Sequence, residues 1–452
     1  MKTLNLKSKD IVSAMRFDGS YHISEGTIFL KKLKRMPHAD LISFCPNIFT
    51  AGRNKRVYTD KEKGFPYLSN SDVVKNNPFE SCNYNSKKYG FDKTAFLKEG
   101  MILTGRVGAI GQTSYVTKEF EENQAMGSDN IIRIVAKDKK MSGYIYAFLV
   151  SKYGNALFNR LAAGGVQPYI SEAMLQDIPI PILPEETQQK IHSLIVESAQ
   201  LRVEANKLLK EAVEIFEKEI GESKVTHSYQ VGKVSSNKIY GFHKRFDSQY
   251  QLGWKALDKE KKNNLKYTNL AQVATNIFVG GRGKRNYVEN GIPFLSSSDM
   301  MLFNPKRNSK KISTSTQGIE NMKVSFYDIL ISRSGTVGNT VIVGEDLQGT
   351  VISEHALRLV VNPEKISPLY VFTFLKTKYG LKTMESSSFG SVIITLNEDL
   401  IGNIEMPILD DHLQSDIERR TEKYISNLDQ STELENQAID LIEKEIDQWQ
   451  QL

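Results

Sequence analysis

The chain is written twice. Phe17-Asp18 returns as Phe246-Asp247, and Gly52-Arg53-Asn54-Lys55-Arg56-Val57-Tyr58 returns as Gly281-Arg282-Gly283-Lys284-Arg285-Asn286-Tyr287. Pro66-Tyr67-Leu68-Ser69-Asn70-Ser71-Asp72 returns as Pro293-Phe294-Leu295-Ser296-Ser297-Ser298-Asp299, and Arg106-Val107-Gly108-Ala109-Ile110-Gly111 as Arg333-Ser334-Gly335-Thr336-Val337-Gly338. Lys152-Tyr153-Gly154 matches Lys378-Tyr379-Gly380, and Glu217-Lys218-Glu219-Ile220 matches Glu443-Lys444-Glu445-Ile446. The order is kept and the offset drifts only from 229 to 226 residues. Solenoid repeats run about 20–50 residues, so these are two large homologous units fused in tandem. A pseudo-twofold molecule is expected, meeting something that itself presents two sites.

With 452 residues and 40% apolar content the chain can bury ordinary cores. Lys and Arg exceed Asp and Glu by 59 to 53, a net charge of +6. That balance permits a nucleic-acid partner without demanding one. The two cysteines, Cys45 and Cys82, form no CxxC or Cys/His ligand spacing, so no metal site and no cofactor are expected. So few thiols in so long a chain suit a reducing compartment. Met1 to His22 lacks the apolar core of a signal peptide, and no run approaches the 18 or so apolar residues of a membrane span. A cytoplasmic protein is expected.

Each unit has the same two-part plan, so the expected fold class is mixed α+β. The first part alternates short strand-like runs with glycine- and asparagine-rich turns: Met101–Thr104, Gln112–Val116 and Asn130–Val135, then Ile329–Ser332 and Thr340–Val343. Helical spacing of apolar residues marks Ser142–Ala162 and Leu369–Met384. The second part is one long helix. Pro184, Glu185 and Glu186 suit its N-terminus. No proline or glycine follows until Gly221 stops it. The domains are therefore placed at 1–183, with a helix at 184–221, and at 222–409, with a second helix at 410–452. Ile191, Ser198, Ala205 and Ala212 form one heptad column, and Leu194, Leu201, Leu208 and Ile215 another. The second helix repeats this more loosely with Ile417, Tyr424, Ser431 and Ala438, beside Leu428, Leu434, Leu441 and Ile442. The small column lets a partner helix approach closely, so the two helices are expected to pack as an antiparallel coiled coil.

The junction into the first helix is the most diagnostic stretch. It runs Gly165-Val166-Gln167-Pro168-Tyr169-Ile170, then Leu175-Gln176-Asp177-Ile178-Pro179-Ile180-Pro181, then Pro184-Glu185-Glu186-Thr187-Gln188-Gln189-Lys190-Ile191. This resembles the signature that closes each target-recognition domain in specificity subunits of Type I restriction-modification systems. The Arg-x-Gly-x-x-Gly turns, the duplication and the paired helices resemble that family too, over essentially the whole chain. The second junction, Ile404-Glu405-Met406-Pro407-Ile408-Leu409-Asp410-Asp411-His412-Leu413-Gln414, lacks two of the prolines. It leaves open whether the second helix docks like the first. The resemblance implies a non-catalytic reader of double-stranded DNA. Each recognition domain would read one half of an asymmetric, split site. The helices would hold the halves apart and carry two methyltransferase subunits, and restriction-motor subunits would complete the complex.

Several residues are candidates for DNA contact, each with a structural reading beside it. Arg53, Lys55, Arg56 and Arg282, Lys284, Arg285 form a basic loop in each unit: a phosphate-contacting surface or a solvated loop. Ser69, Asn70, Ser71 and Ser296, Ser297, Ser298 could bond base edges or serve as turn and capping residues. Arg106 and Arg333 open glycine turns between strands, yet arginine is also the commonest reader of guanine. Gln167 could read adenine.

Two competing functions are weaker. A self-contained adenine methyltransferase needs an Asn/Asp-Pro-Pro-aromatic loop, and Asn76-Asn77-Pro78-Phe79 lacks the second proline. A P-loop is absent, since Gly283-Lys284 is followed by Arg285. A coiled-coil scaffold without DNA would leave the paired basic loops unexplained.

Overall fold

The computed structural model describes the chain apart from residues 1–6, 9–10, 13–16, 18, 54, 90–91, 109, 163–167, 222–232, 240–244, 246, 249, 254–256, 258–260, 263, 391–392 and 450–452. Gln167, Asp18 and Phe246 therefore lie outside the described residues. The fold is mixed α+β, with two tandem mixed domains and two long helices, Glu185–Ile220 and Asp411–Gln448. At 1.5 Å per residue each helix is about 55 Å long. Two compact units result, and their boundaries cut through the helices: Met1–Val203 with Gln430–Leu452, and Glu204–Asp429.

In the first unit a four-stranded antiparallel sheet runs in the order Asn47–Thr50, Ile131–Val135, Ile102–Gly105, Thr113–Tyr115. All four residues of Ile102–Gly105 are buried, as suits a central strand covered on both faces. A three-stranded sheet joins Asn83–Ser86 antiparallel and Met126–Gly127 parallel to the strand Gly64–Leu68. The second unit repeats this. Ala274–Val279, Ala356–Val361, Ile329–Ser332 and Thr340–Ile342 form one sheet, and Ile292–Leu295 again pairs parallel with Val351–Ile352 in the other. The parallel pair recurs in the same register: Tyr67 opposite Met126 in the first unit, Phe294 opposite Val351 in the second.

The repeated Lys-Tyr-Gly motif marks a helix break. Ser151 is extended between the helices Ser142–Val150 and Lys152–Leu161, and its hydroxyl accepts the N–H of Gly154. Thr377 does the same for Gly380 between Pro368–Lys376 and Lys378–Ser387. A Cβ on either glycine would lie 2.3 Å from a backbone oxygen of the preceding helix, Phe148 or Phe374, so only glycine fits the corner. The repeated Glu-Lys-Glu-Ile motif meets this corner. Glu443 accepts the N–H of Lys152 at 2.7 Å, and Glu217 that of Lys378 at 3.0 Å.

Both junctions close their domains alike despite the missing prolines. Pro179–Pro181 pairs antiparallel with His38–Asp40, and Glu405–Ile408 with Lys266–Asn269. Tyr144 donates to the Pro181 carbonyl and Tyr370 to that of Pro407. Gln188 and Gln414 each reach back to a carbonyl before the helix, Leu183 and Leu409. Backbone pairing and one glutamine carry the junction, so the prolines are dispensable. Gly221, at φ +85°, ends the first helix in the left-handed region.

Helix packing follows from burial. In the first unit Ile191, Ile195 and Ala199 share a core with Ala438, Ile439, Ile442 and Ile446. In the second, Ala205, Leu209, Ala212 and Phe216 share one with Ile417, Tyr424 and Ile425. The early part of one helix meets the late part of the other, which is the matching of an antiparallel coiled coil. One contact between them is polar: Ser198 and Ser431, both buried, each donate to the other's backbone carbonyl at 2.7 and 2.6 Å.

The small column Ile191, Ser198, Ala205, Ala212 is buried throughout. The second buried line differs from expectation by one residue. It is Ile195, Arg202, Leu209 and Phe216, while Leu194, Leu201, Leu208 and Ile215 are half-buried. Leu441 is likewise half-buried, beside the buried Ala438 and Ile442. Each helix is covered on two sides, by the other helix and by a globular domain. The buried stripe is therefore wider than a two-column seam and leans toward the domain. One layer distinguishes the units. Tyr146 donates to the buried Glu435 at 2.6 Å, and Arg202 is buried in the same unit. The repeat places Phe372, Leu209 and Leu428 at the matching positions.

The shifted line is testable by truncating neighbouring leucines. Leu209→Ala should cost about 2–5 kcal/mol, whereas Leu201→Ala should cost less than about 1 kcal/mol. Chemical denaturation of both variants compares them directly. A larger loss at Leu201 would restore the expected column.

Candidate nucleic-acid interface

In each unit three of the sequence-marked loops are brought together by one loop that sequence reasoning missed. It follows the short parallel strand and reads Ser128-Asp129-Asn130 in the first unit and Ser353-Glu354-His355 in the second. Ser128 N–H donates to the Leu68 carbonyl, and Ser353 N–H to that of Leu295, both at 2.9 Å. The loop is thereby tied to the strand that leads into the serine motif. Its last carbonyl, on Asn130 or His355, accepts the N–H of Arg106 or Arg333 at 2.9 and 3.0 Å. The acid between them faces the basic loop.

Arg56 donates to Asp129 at 2.8 Å, and Arg53 lies 3.5 Å from the same carboxylate. Arg285 Nη2 reaches both oxygens of Glu354 at 2.9 and 2.8 Å, with Arg282 at 3.4 Å. Asp129 and Glu354 are mostly covered, whereas the side chains of Arg53 and Arg282 are 94% and 84% exposed. Burial raises the Glu354 carboxyl, but its own N–H and the Arg285 guanidinium overcome this and hold it below its ordinary range. The guanidinium of Arg56 also lies over the Tyr67 ring, 5.7 Å from its centre, and that of Arg285 over Phe294 at 4.9 Å. One arginine of each loop is thus fixed between an acid and an aromatic ring, and the other reaches into solvent. Lys55 sits over the Tyr89 ring at 5.3 Å, and Lys284 is exposed. The first basic loop has a further anchor. Asp92 accepts the N–H of Thr94 at 2.9 Å and of Gly52 at 2.8 Å, and these donors hold its carboxyl low.

The serine motifs are largely consumed locally. Ser69 N–H and Oγ both donate to Asp72, and Ser69 Oγ meets Ser71 Oγ at 2.9 Å. Ser296, Asp299 and Ser298 repeat this. Ser297 has no such role in that network. Asn70 instead crosses to the arginine turn, donating to the Val107 carbonyl at 3.2 Å.

The glycines of the Arg-x-Gly-x-x-Gly turns serve conformation. Gly108, Gly111, Gly335 and Gly338 all have φ between +78° and +90°. The arginines before them are half-buried. Arg106 passes its carbonyl to Ile170 N–H, and Arg333 passes its own to Leu396 N–H. The Nε of Arg333, shielded from solvent, has no hydrogen-bond partner among the described residues. Beside this turn the second unit exposes Phe389, Ile393 and Ile394, and the first exposes Tyr169.

Beneath the first unit's loop lies a fully buried arginine. Arg133 donates to the carbonyls of Gly127 and Ile131 at 2.5 Å, Ser128 at 2.9 Å and Ala95 at 3.3 Å. Burial pulls its guanidinium down to about 10, so it stays charged at neutral pH. Its counterpart Arg358 is also buried, but bonds the Met322 carbonyl and lies 3.5 Å from Asp328. A clue existed in the sequence: a Ser-acid pair followed by a lone arginine in an apolar strand, in both units. Among the described residues no group of three or more His, Cys, Asp or Glu could hold a metal. No described helix is long and apolar enough to cross a membrane.

The basic, loop-built surface is thus present in both units. Residues 45–214 and 281–444 each match the model of the type I restriction modification DNA specificity domain. The chain belongs to this family, the non-catalytic DNA-recognition component of type I restriction-modification systems. It is similar to the S subunit of a type I restriction-modification system from M. genitalium, at 13% identity over 90% of this chain and 94% of that one, with a TM-score of 0.35. It is also similar to the HsdS subunit from Thermoanaerobacter tengcongensis, at 14% identity over 90% and 95%, with a TM-score of 0.29. No curated protein matches the sequence.

Removing the buried arginine should unseat the loop. Arg133→Met leaves several buried carbonyls unpaired, at about 1–3 kcal/mol each, so a loss of at least about 3 kcal/mol is expected in chemical denaturation. Stability equal to the parent's would show that the arginine does not hold this loop.

Proposed function

We propose that the chain reads a bipartite, asymmetric site on double-stranded DNA, one half-site per unit, and positions methyltransferase and restriction subunits on it. The observation that carries this reading is the duplicated convergence of basic loop, arginine turn and serine loop around one acid-bearing loop. Two such surfaces, similar in construction and different in side chains, suit two unlike half-sites. Arg53, Lys55, Arg282 and Lys284 supply phosphate attraction, which sets affinity and its salt dependence without sequence information. Arg106, Arg333 and Asn70 would meet base edges in the major groove. Gln167 and the serines Ser71, Ser297 and Ser298 remain candidates for the same edge.

The long helices would set the separation of the half-sites and offer their exposed faces to two methyltransferase subunits. Restriction-motor subunits would then complete the cutting form of the complex. Such a complex acts where the chromosome is, so we place it in the cytoplasm. The chain itself would use no cofactor, leaving methyl-donor chemistry to its partners.

Domain exchange tests the reading. Residues 1–183 are replaced by the matching domain of another specificity subunit, and methylated positions are mapped after co-expression with the methyltransferase subunits. One half of the recognised sequence should change and the other should stay. Change in both halves, or in neither, would contradict independent reading.

A further inference from the structure

We propose that Asp129 and Glu354 are positioning residues for sequence reading, each fixing one arginine, Arg56 or Arg285, as a specificity-determining group. The inference rests on the reading of the chain as a DNA-recognition subunit. It starts from a conflict of charge. A basic loop that served only to attract phosphate would be weakened by an acid in contact with it, since the carboxylate cancels one positive charge. Yet each unit places an acid there, largely covered, within 2.8 Å of an arginine.

The acid is not a passing surface partner. It is delivered by the loop after the short parallel strand, and its neighbours bond both the Leu68 or Leu295 strand and the Arg106 or Arg333 turn. The ring that faces the same guanidinium, Tyr67 or Phe294, comes from the adjacent strand, directly opposite Met126 or Val351. Two elements of one sheet thus clamp one arginine from two sides, and they do so twice. A surface arginine ordinarily keeps much rotamer freedom, which is lost on binding. Clamped, its planar fork is already oriented. That is what bidentate reading of a guanine edge requires. The unclamped members, Arg53 and Arg282, keep the freedom suited to following a phosphate backbone. The two units use acids of different length, so the requirement is a carboxylate at that place rather than one particular side chain.

The test uses the full chain assembled with its methyltransferase subunits. Initial methylation rates are measured on the mapped recognition duplex and on duplexes altered at single positions of either half-site. Asp129→Asn should lower discrimination in one half-site by on the order of tenfold, leaving the other half-site's discrimination unchanged. Glu354→Gln should do the reverse, and Asp129→Glu should restore the parent ratio. Unaltered ratios in both variants, or tighter DNA binding with discrimination intact, would reduce the acids to charge balance and overturn the proposal. Equal relaxation of both half-sites by each variant would mark a general structural role and overturn it as well. If the parent complex methylates no split site, the functional reading itself fails and takes this proposal with it.

Discussion

Neither long helix can bury its apolar stripe on the domain that precedes it. The central helix runs for 36 residues and the C-terminal helix for 38, and their buried residues are divided between two cores. In each core, half of one helix meets the opposite half of the other, and a repeated glutamate fastens it to a helix corner made by a repeated Lys-Tyr-Gly. The duplication therefore produces more than two copies of a domain. The late part of the central helix belongs to the core of the second repeat, and the late part of the C-terminal helix to the core of the first. Each unit thus holds one end of both helices.

The loop surface of each unit depends on a smaller constraint. The loop after a two-residue parallel strand in each unit gives an acid to the basic loop, a carbonyl to the arginine turn and an N–H to the strand that leads into the serine motif. Charged arms need no such support to attract DNA, because attraction is long-ranged and tolerant of geometry. Reading base edges is short-ranged and needs fixed side chains. Arg53 and Arg282 extend into solvent, while Arg56 and Arg285 are held, and under the proposed reading the two demands fall to different arginines.

The duplication, the two-part plan and the long helices were legible in the sequence, because each leaves a repeated or periodic trace. Gly108, Gly111, Gly335 and Gly338 were legible as turn formers, since positive φ selects glycine. The second buried line of the helices was misplaced by one residue, because heptads count contacts with one partner helix. Here a globular domain covers the next face and draws Ile195, Leu209 and Phe216 inward in place of Leu194, Leu208 and Ile215. Arg202 and Glu435 could not be anticipated as buried, since charge in a helix pattern ordinarily marks the wet face. Asp129 and Glu354 escaped notice for a different reason. An acid beside a basic loop is invisible when some 70 residues separate them, and only the parallel pairing of Tyr67 with Met126 and of Phe294 with Val351 brings them together.

Under the proposed function, a rigid helix pair would set the distance between two independent readers. This is tested most directly by adding one heptad to each helix, between Ser198 and Glu211 and between Arg420 and Ser431. Both insertions together preserve the phase of the buried stripes and the pairing at either end. They lengthen the pair by about 10 Å, which is roughly three base pairs at 3.4 Å per step. Mapping of methylated positions should show both half-sites unchanged in sequence and the gap between them longer by about three base pairs. A folded, active variant that methylates the parent's site with its original gap would show that the helices do not set the spacing.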